Sequence, residues 1–319
     1  RTTAAETDWQ DEIYQNGPMQ NYDLSLSGGN ENSTFRLSAG YLNQQGIVIK
    51  TGLERYNFRA NSDFKKGRLL IGENLSLSYS TQKPLADNGG RSLLEHAIKM
   101  APYLPVYNPD NPGGFQGPTS NIDGQDAENP VRIMELNSLE TNTMDILGNL
   151  YGELEIVKGL KFRTNLGLQD ERIVSNQFFP SYNDDNLGGN THRATFANIY
   201  KNRATYSAFL FTNNFIYNLT LLDKHNFELL ALTEYSAVKS TILNTNSHNN
   251  ISDAVEEVSN LDASLSSATI NYYRISYLGR LNYNFDSKYL FSASIRTDAS
   301  SRFGKNKRWG TFPSVSVGW

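Results

Sequence analysis

Hydrophobic and polar residues alternate along residues 18–64 with the period of a β-strand. Tyr22, Leu24 and Leu26 alternate with polar neighbours, and the same alternation returns at 35–41 and 56–60. Because successive side chains of a strand leave opposite faces, each of these strands has one apolar and one polar face. This pattern is typical of a sheet with one side in water, or of a barrel wall with lipid outside and water inside.

The same alternation predicts eleven strands along the whole chain. They are expected at about 21–28, 33–43, 54–63, 70–82, 142–157, 160–172, 204–219, 226–238, 267–285, 288–298 and 311–319. The spacing of SLLEHAIKMA (92–101) predicts a helix. Residues 1–17 fit either a short helix or an extended segment, and DAVEEVSN (253–260) allows a helical turn.

Short and long connections between these strands alternate without exception. The short ones are GGNEN, FKKGRL, VKG, LLDKHN and DSK, and the long ones are 44–53, 83–141, 173–203, 239–266 and 299–310. In an up-and-down meander every second connection lies at the same end of the sheet, as in outer-membrane barrels with short periplasmic turns and long extracellular loops. Greek-key sandwiches give no reason for such sorting. The fold expected is therefore all-β: a transmembrane antiparallel up-and-down β-barrel.

Aromatic residues near the predicted strand ends fit an interfacial girdle. This weaker signal comes from Tyr22, Tyr41, Tyr56, Tyr79, Tyr217, Tyr235, Phe285 and Tyr289.

Composition removes several classes of function. The 319 residues include no cysteine, so neither disulfides nor thiolate metal sites can form. The net charge of −4 gives no reason to expect a nucleic-acid partner. No apolar run approaches the roughly 18 residues of a membrane helix.

The sequence offers little that would support catalysis. The four histidines (His96, His192, His225 and His248) lack metal-ligand spacing, and the chain has no GxSxG, Walker A or GxGxxG motif. We therefore expect no enzyme, no bound metal and no cofactor.

The loop at 102–130 is the best candidate for ligand binding. Tyr103, Tyr107 and Phe115 can stack on sugar rings or peptide side chains, and Asn108, Asp110 and Asn111 can hydrogen-bond hydroxyls or amides. The alternative is that these aromatic rings pack within the loop or against a partner protein.

Three other groups have a functional and a plainer interpretation. NIDGQDAEN (121–129) is rich in oxygen ligands but lacks the EF-hand pattern, which favours an ordinary turn. The basic residues Arg302, Lys305, Lys307 and Arg308 form either a solvated loop or a contact for lipopolysaccharide phosphates. Polar strand positions are expected to line a wet lumen; they are Arg36, Arg59, Asn74, Arg163 and Arg280.

Four blocks of sequence resemble a known family. They are DWQDEI (8–13), PMQNYDLSLSGGNENSTFRLSAGYLNQQGIV (18–48), ERYNFRANSDF (54–64) and SSRFGKNKRWGTFPSVSVGW (300–319). These blocks are similar to the barrel of SusC/RagA-type TonB-dependent outer-membrane transporters of Bacteroidetes. Residues 83–141, 173–203 and 239–266 show no such similarity.

The resemblance implies a 22-stranded barrel, of which eleven strands are about half. It also implies that residues 1–17 lead in from a plug domain and that 18–319 form the N-terminal half of the barrel. The protein would import an oligosaccharide or a peptide across the outer membrane. Its partners would be a SusD-like surface lipoprotein, the TonB complex and outer-membrane lipid. The alternatives are a siderophore or cofactor receptor without a lid, a passive porin, and a soluble all-β glycan-binding module.

Overall fold

One antiparallel sheet of eleven strands dominates the fold. The computed structural model describes residues 5–86, 91–118, 123, 126–184, 193–250, 252–254, 258 and 263–319. The strands of the sheet are β1 (Met19–Gly29), β2 (Ser33–Gln45), β3 (Gly52–Lys66), β4 (Leu69–Lys83), β5 (Ser138–Val157), β6 (Leu160–Phe179), β9 (Ala197–Leu221), β10 (His225–Asn250), β11 (Ser264–Phe285), β12 (Tyr289–Ser300) and β13 (Trp309–Gly318). A separate two-stranded sheet joins β7 (Tyr182–Asn183) to β8 (Arg193–Ala194). The helices are α1 (Trp9–Ile13), α2 (Leu93–Lys99) and α3 (Pro130–Leu136).

The strands of the large sheet follow one another in sequence order. Each pairs antiparallel with the next, from β1 through β6 to β9 and on to β13. The predicted meander of eleven strands is therefore confirmed, and its alternating connections place the tight turns at one end (the turn end) and the long connections at the other (the loop end).

Several strands are longer at the loop end than the alternation predicts. β10 continues to Asn250 although its hydrophobic pattern ends near residue 238, and β9 begins at Ala197 rather than near 204. Most of the extra residues of β10 are polar, and the adjacent apolar pair Ile242 and Leu243 places one side chain on each face, so their hydrophobicity shows no period of two. The backbone ladder of β10 nevertheless continues on both sides as far as Asn246, with Lys239 opposite both Ser207 and Asn271, and its register with β9 shifts between Ser247 and Asn250.

Tight turns at the turn end require left-handed backbone conformations. Asp286 and Ser287, between β11 and β12, have φ angles of 53° and 55°. Positive φ at both central residues is what a type I′ hairpin needs, because its twist matches that of the flanking strands.

The apolar side chains of the sheet share one face across strand boundaries. Tyr22, Tyr41, Tyr56 and Tyr79 are direct partners on β1 to β4, and ring centroids lie 6.4 Å apart for Tyr22–Tyr41 and 5.0 Å for Tyr41–Tyr56. Tyr22, Tyr56 and Tyr79 remain exposed, as Leu24 does with 77% of its surface, and Tyr41 between them is half-buried. The opposite face carries the polar residues.

The apolar face has the height of a lipid hydrocarbon layer. On β9 and β10 it covers residues 209–219 and 227–237, each eleven residues long. At about 3.3 Å per residue and a barrel tilt of about 40°, such a stretch spans roughly 25 Å. Ser207 and Lys239 follow as the next outward residues toward the loop end.

In the part of the chain that the structure describes, no helix is long and apolar enough to cross a membrane.

The largest buried core lies at the loop end, outside the sheet. We call it the long-loop cluster, and it joins α1, α2 and α3 with the β2–β3 connection. Its buried hydrophobic members are Trp9, Ile13, Val48, Ala86, Leu93, Ala97, Met100, Leu104, Val106, Phe115, Ala127, Val131, Ile133 and Met134. The predicted helix at 92–101 is confirmed as α2.

The segment before β1 contributes to this cluster. Asp8 caps α1 by accepting hydrogen bonds from the backbone N–H groups of Gln10 and Asp11. Trp9 Nε1 donates to the Ala101 carbonyl at 2.9 Å, and Ile49 N donates to the Ile13 carbonyl at 3.0 Å. Residues 5–17 thus lie at the loop end. Their origin in a plug domain and the division at residue 17 stay predictions.

Candidate ligand-binding surface at the loop end

A tight hairpin-like turn carries most of the predicted ligand residues. Gln116 N donates to the Val106 carbonyl at 3.1 Å, and Asn108 N donates to the Gly114 carbonyl at 2.9 Å. Gly113 and Gly114 close the turn with φ angles of 94° and 79°, which side-chain-bearing residues rarely adopt. The turn lies on the long-loop cluster, into which Val106 and Phe115 insert.

The structure separates the two aromatic residues of this turn by burial. Phe115 is 6% exposed and belongs to the long-loop cluster, whereas Tyr107 is 60% exposed. Their ring centroids are 5.3 Å apart with a 39° tilt. Phe115 therefore supports the Tyr107 ring from below, and Tyr107 presents its outer face to solvent.

The polar candidates are partly used within the loop. Asn108 Nδ2 donates to Gln116 Oε1 at 2.6 Å, and its Oδ1 accepts a hydrogen bond from Asp110 N at 3.1 Å. Asp110 is exposed at the tip of the turn. Tyr103 is 40% exposed and donates its hydroxyl to Asp123 Oδ1 at 2.8 Å.

These contacts leave three exposed candidates in the segment that packs on the long-loop cluster. Tyr103 and Tyr107 offer ring faces, and Asp110 offers a carboxylate; Asn108 shapes the turn and Phe115 anchors it. Whether any of the five contacts a ligand stays a prediction.

Asn129 is a buried residue of this loop that the sequence analysis treated only as part of an oxygen-rich run. Its side-chain Oδ1 accepts from Val131 N and Arg132 N, both at 3.0 Å, and so caps α3. Its Nδ2 donates to the carbonyls of Val106 and Gln116, both at 2.8 Å. Asn129 thus joins the start of α3 to both sides of the turn. An Asn directly before Pro130 was the available signal, because Asn–Pro at a helix start is a capping pattern.

Other members of the 121–129 run also have structural partners. Asp126 pairs with Arg91, and Asp123 accepts from Tyr103. Residues 121, 122, 124 and 125 lie outside the described residues. Among the residues described, no group of three His, Asp or Glu side chains is placed to hold a metal ion.

A buried ion pair connects the long 84–137 loop to the next loop. Arg132 Nε donates to Asp184 Oδ2 at 3.0 Å, and both side chains are 1% exposed. The Arg132 guanidinium lies 3.5 Å from the centre of the Tyr182 ring and also pairs with Glu128. The backbone completes the connection, because Gly117 N donates to the Asp184 carbonyl at 2.9 Å.

Burial sets the protonation of this ion pair. Burial raises the pKa of the Asp184 carboxyl to about 6 from an ordinary value of 3.8, against the opposing effect of Arg132. Burial also acts to lower the pKa of Arg132, but the interactions with Asp184, Tyr182 and Glu128 together outweigh it and the net pKa is raised. Arg132 therefore remains charged while Asp184 titrates near pH 6.

A third loop is attached to the second. Ser181 N donates to Asp253 Oδ1 at 2.9 Å, and the Ser181 hydroxyl donates to Asp253 Oδ2 at 2.5 Å. The three long loops are thus linked in series at the loop end. Most of the helical turn allowed at 253–260 lies outside the described residues, as does His192.

The polar face of the sheet carries charged networks. Glu228 accepts from Arg280 at 3.1 Å and from Asn282 at 2.9 Å. Glu234 pairs with Arg274 at 3.0 Å and with Arg296 at 3.5 Å. These residues lie where a lumen would be, as expected of Arg280 from the alternation.

The basic loop between β12 and β13 does not present all its cations to the lipid side. Arg302 lies 3.9 Å from the centre of the Tyr272 ring, and Tyr272 shares the polar face with Arg274. Lys305, Lys307 and Arg308 are exposed at the loop end.

Comparison with known proteins now identifies this architecture. The TonB-dependent receptor P3 of Formosa agariphila is 31% identical over 328 residues, which cover 99% of this chain and 31% of that receptor. The TonB-dependent receptor SusC of Bacteroides thetaiotaomicron is 26% identical over 99% of the chain and 32% of its own length. The chain is thus similar over nearly its whole length to TonB-dependent receptors, SusC among them, and the predicted resemblance to SusC/RagA-type receptors is confirmed.

Solved structures show the same fold. The structure of the RagAB peptide transporter matches 99% of this chain with a TM-score of 0.78 at 20% identity, and 36% of the transporter chain is covered. The ferric-catecholate import receptor Fiu of E. coli matches with a TM-score of 0.55 at 10% identity, with 49% of its chain covered. No family model matches the chain. The chain spans about a third of the length of the curated relatives it matches.

Proposed function

We propose that the full-length protein is an outer-membrane importer driven by TonB, with a plugged barrel of 22 strands of which this chain supplies about half. The observation that carries the proposal is the sheet itself. Its eleven strands have a continuous outward apolar face about 25 Å high and a charged inner face, as a barrel with a wet lumen requires. The names of the curated relatives support the same role.

The proposed cargo is an oligosaccharide or a peptide. The SusC relationship favours the family of nutrient importers over siderophore receptors, since Fiu resembles this chain at only 10% identity. RagAB is described as a peptide transporter, which keeps peptides among the candidates. A SusD-like surface lipoprotein is the proposed partner, and it would cover the loop end.

Tyr103, Tyr107 and Asp110 form the proposed contact surface for cargo or lid. Two exposed rings held at fixed positions beside a carboxylate suit stacking on sugar rings or peptide side chains. Asn108 and Phe115 hold the turn in shape, so they act through Tyr107 rather than by direct contact.

The decisive experiment is purification of the full-length protein from the native outer membrane in mild detergent. Mass spectrometry of the sample is expected to find a stoichiometric surface lipoprotein and a retained glycan or peptide. A lone barrel would move the assignment to a siderophore or cofactor receptor. Recovery in the soluble fraction would reject the membrane proposal and favour the glycan-binding module.

Cargo contact is tested with Tyr107→Ala in the same preparation. We expect weaker retention of ligand or lipoprotein, because the exposed ring is lost while Phe115 still anchors the turn. Tyr14→Ala is the matched control, since Tyr14 is a 40% exposed tyrosine at the same end of the sheet. Equal retention by both variants would remove Tyr107 from the contact surface.

A further inference from the structure

A basic patch lies on the outward face of the sheet, directly above the apolar stretch. It consists of Arg172 on β6, Arg203 on β9 and Lys239 on β10, all exposed. Their register places them close together, because Arg172 pairs with Thr205, two residues from Arg203, and Lys239 pairs with Ser207. At strand spacings of about 4.8 Å and 3.3 Å per residue, Arg172 and Arg203 start roughly 8 Å apart.

The patch has the same parity as the lipid-facing side chains. Toward the turn end lies a row of outward residues, Leu168, Phe209, Ala237 and Tyr273, which pair with one another across β6, β9, β10 and β11. Lys239 is one outward position above this row, Arg172 is two above it and Arg203 is three above it. Three of the aromatic rings just below form a continuous group. Phe209 lies 6.3 Å from Tyr235, and Tyr235 stacks on Tyr273 at 6.5 Å. Such rings mark the boundary between hydrocarbon and headgroups.

The charge of the patch is positive overall. Asp170 is the acidic side chain among the outward residues at these register positions, and it pairs with Arg172 at 2.9 Å. Within the described residues, Arg203 and Lys239 have no ion-pair partner. Three cations therefore face one carboxylate, and two positive charges remain uncompensated at the headgroup level.

The excess of cations is not repeated above the row of tyrosines on β1 to β4. The outward positions there are Gln20, Asn43, Glu54, Thr81 and Lys83. Lys83 is the one cation among them, and the Glu54 carboxylate, which also accepts hydrogen bonds from Tyr41 and Tyr56, offsets its charge. A general need for solubility at the membrane surface would not favour an excess of positive charge in one of the two sectors.

We propose that Arg172, Arg203 and Lys239 bind the phosphate groups of a lipopolysaccharide headgroup in the outer leaflet. The argument is one of charge and depth. Cations one to three outward positions above an aromatic boundary meet headgroup phosphates, and guanidinium groups bind phosphate with two parallel hydrogen bonds. The inference rests on the proposed outer-membrane location, with the long loops outside the cell. The sequence analysis offered the β12–β13 loop as the contact for these phosphates. Because Arg302 of that loop lies over the polar face, we place the contact at Arg172, Arg203 and Lys239 instead.

The test uses the full-length receptor in detergent after removal of native lipid. Lipopolysaccharide is expected to raise its Tm, whereas the same lipid with its phosphates removed, or inorganic phosphate alone, is not. The triple variant Arg172→Gln, Arg203→Gln and Lys239→Gln is expected to lose affinity by roughly fivefold per cation. Lys65→Gln, Lys66→Gln and Lys158→Gln, three exposed cations at the turn end, are the matched control and should bind as the unmodified receptor does.

Three results would overturn the proposal. Equal stabilisation by the dephosphorylated lipid would remove the phosphate contact, and equal stabilisation by inorganic phosphate would replace the lipid with a free anion. Unchanged binding by the triple variant would place the contact elsewhere. If the triple variant does not fold, Arg203→Gln alone must show the fivefold loss, and the lipid comparison on the unmodified receptor still decides. Absence of the receptor from the outer membrane would instead reject the proposed function itself.

Discussion

Apolar side chains are exposed on the sheet but buried in the long-loop cluster. On the sheet, Leu24 and its neighbours are exposed, whereas Ile133 in the cluster has no exposed surface at all. The sheet is stabilised by its continuous backbone ladder, and lipid would cover its apolar face. The cluster is surrounded by water and must bury its own apolar surface. Lipid is the expected surrounding of the sheet and water that of the long-loop cluster. The same kind of substitution should therefore have different consequences in the two regions.

The largest expected effect is at the buried ion pair of the loops. Arg132→Met leaves the Asp184 carboxyl buried without its partner, which costs about 3–5 kcal/mol. We expect faster amide hydrogen exchange in α3 and in residues 106–117, with exchange in the β9–β10 ladder unchanged. Arg91→Met is the control, because its pair with Asp126 is exposed and should contribute little. Loss of the whole barrel in Arg132→Met would show that the two regions are not independent.

A charge introduced on the apolar face tests whether that face is in contact with lipid. Ala231→Arg places a cation between Phe215 and Gly279 near the middle of the lipid-facing stretch, at an expected cost of about 2–4 kcal/mol. Folding of the full-length protein into lipid vesicles measures this cost. Leu232→Arg, one residue on, points to the polar face and should be tolerated. Equal effects of the two variants would contradict the assignment of faces.

Acid should strengthen the loop contact while leaving the sheet unaffected. The pKa of Asp184 is raised in the folded loops, so they bind its proton more tightly than the released loops do. Stability is therefore fully present below about pH 4 and lost as pH rises through 6, by about 3 kcal/mol. Hydrogen exchange in residues 106–117, corrected for intrinsic rates, measures the slope between about pH 6.5 and 4, where Asp184 changes its protonation. Asp184→Asn should remove that slope, and an equal slope in both proteins would exclude Asp184 as its source.

The smallest expected effect is at the attachment of α1. Trp9→Phe keeps most of the buried ring but leaves the Ala101 carbonyl without its donor, at a cost of about 1 kcal/mol. The readout is hydrogen exchange in α1 and α2. Trp309→Phe on the apolar face of β13 is the control and should have no effect there.

The sheet is easier to predict from the sequence than the long-loop cluster. The strand count, the meander and the separation of faces follow from alternation, since a period of two assigns each side chain to one face before any contact is known. The extension of β10 to Asn250 was missed because residues 239–250 are polar except for the adjacent pair Ile242 and Leu243, which does not alternate. In the candidate site, Tyr107 and Phe115 look alike in sequence, and only their burial distinguishes ligand surface from anchor.

The sequence by itself determined the barrel wall, its order and its two faces, because strand pairing between neighbours uses local information. Only the tertiary structure decided the contacts among residues distant in sequence. Arg132 and Asp184 are 52 residues apart, and Trp9 and Ala101 are 92 apart. No period in the chain records such contacts, because they arise when separate loops pack around a shared core. The basic patch is of the same kind, since strand register is what places cations from three strands on one outward surface.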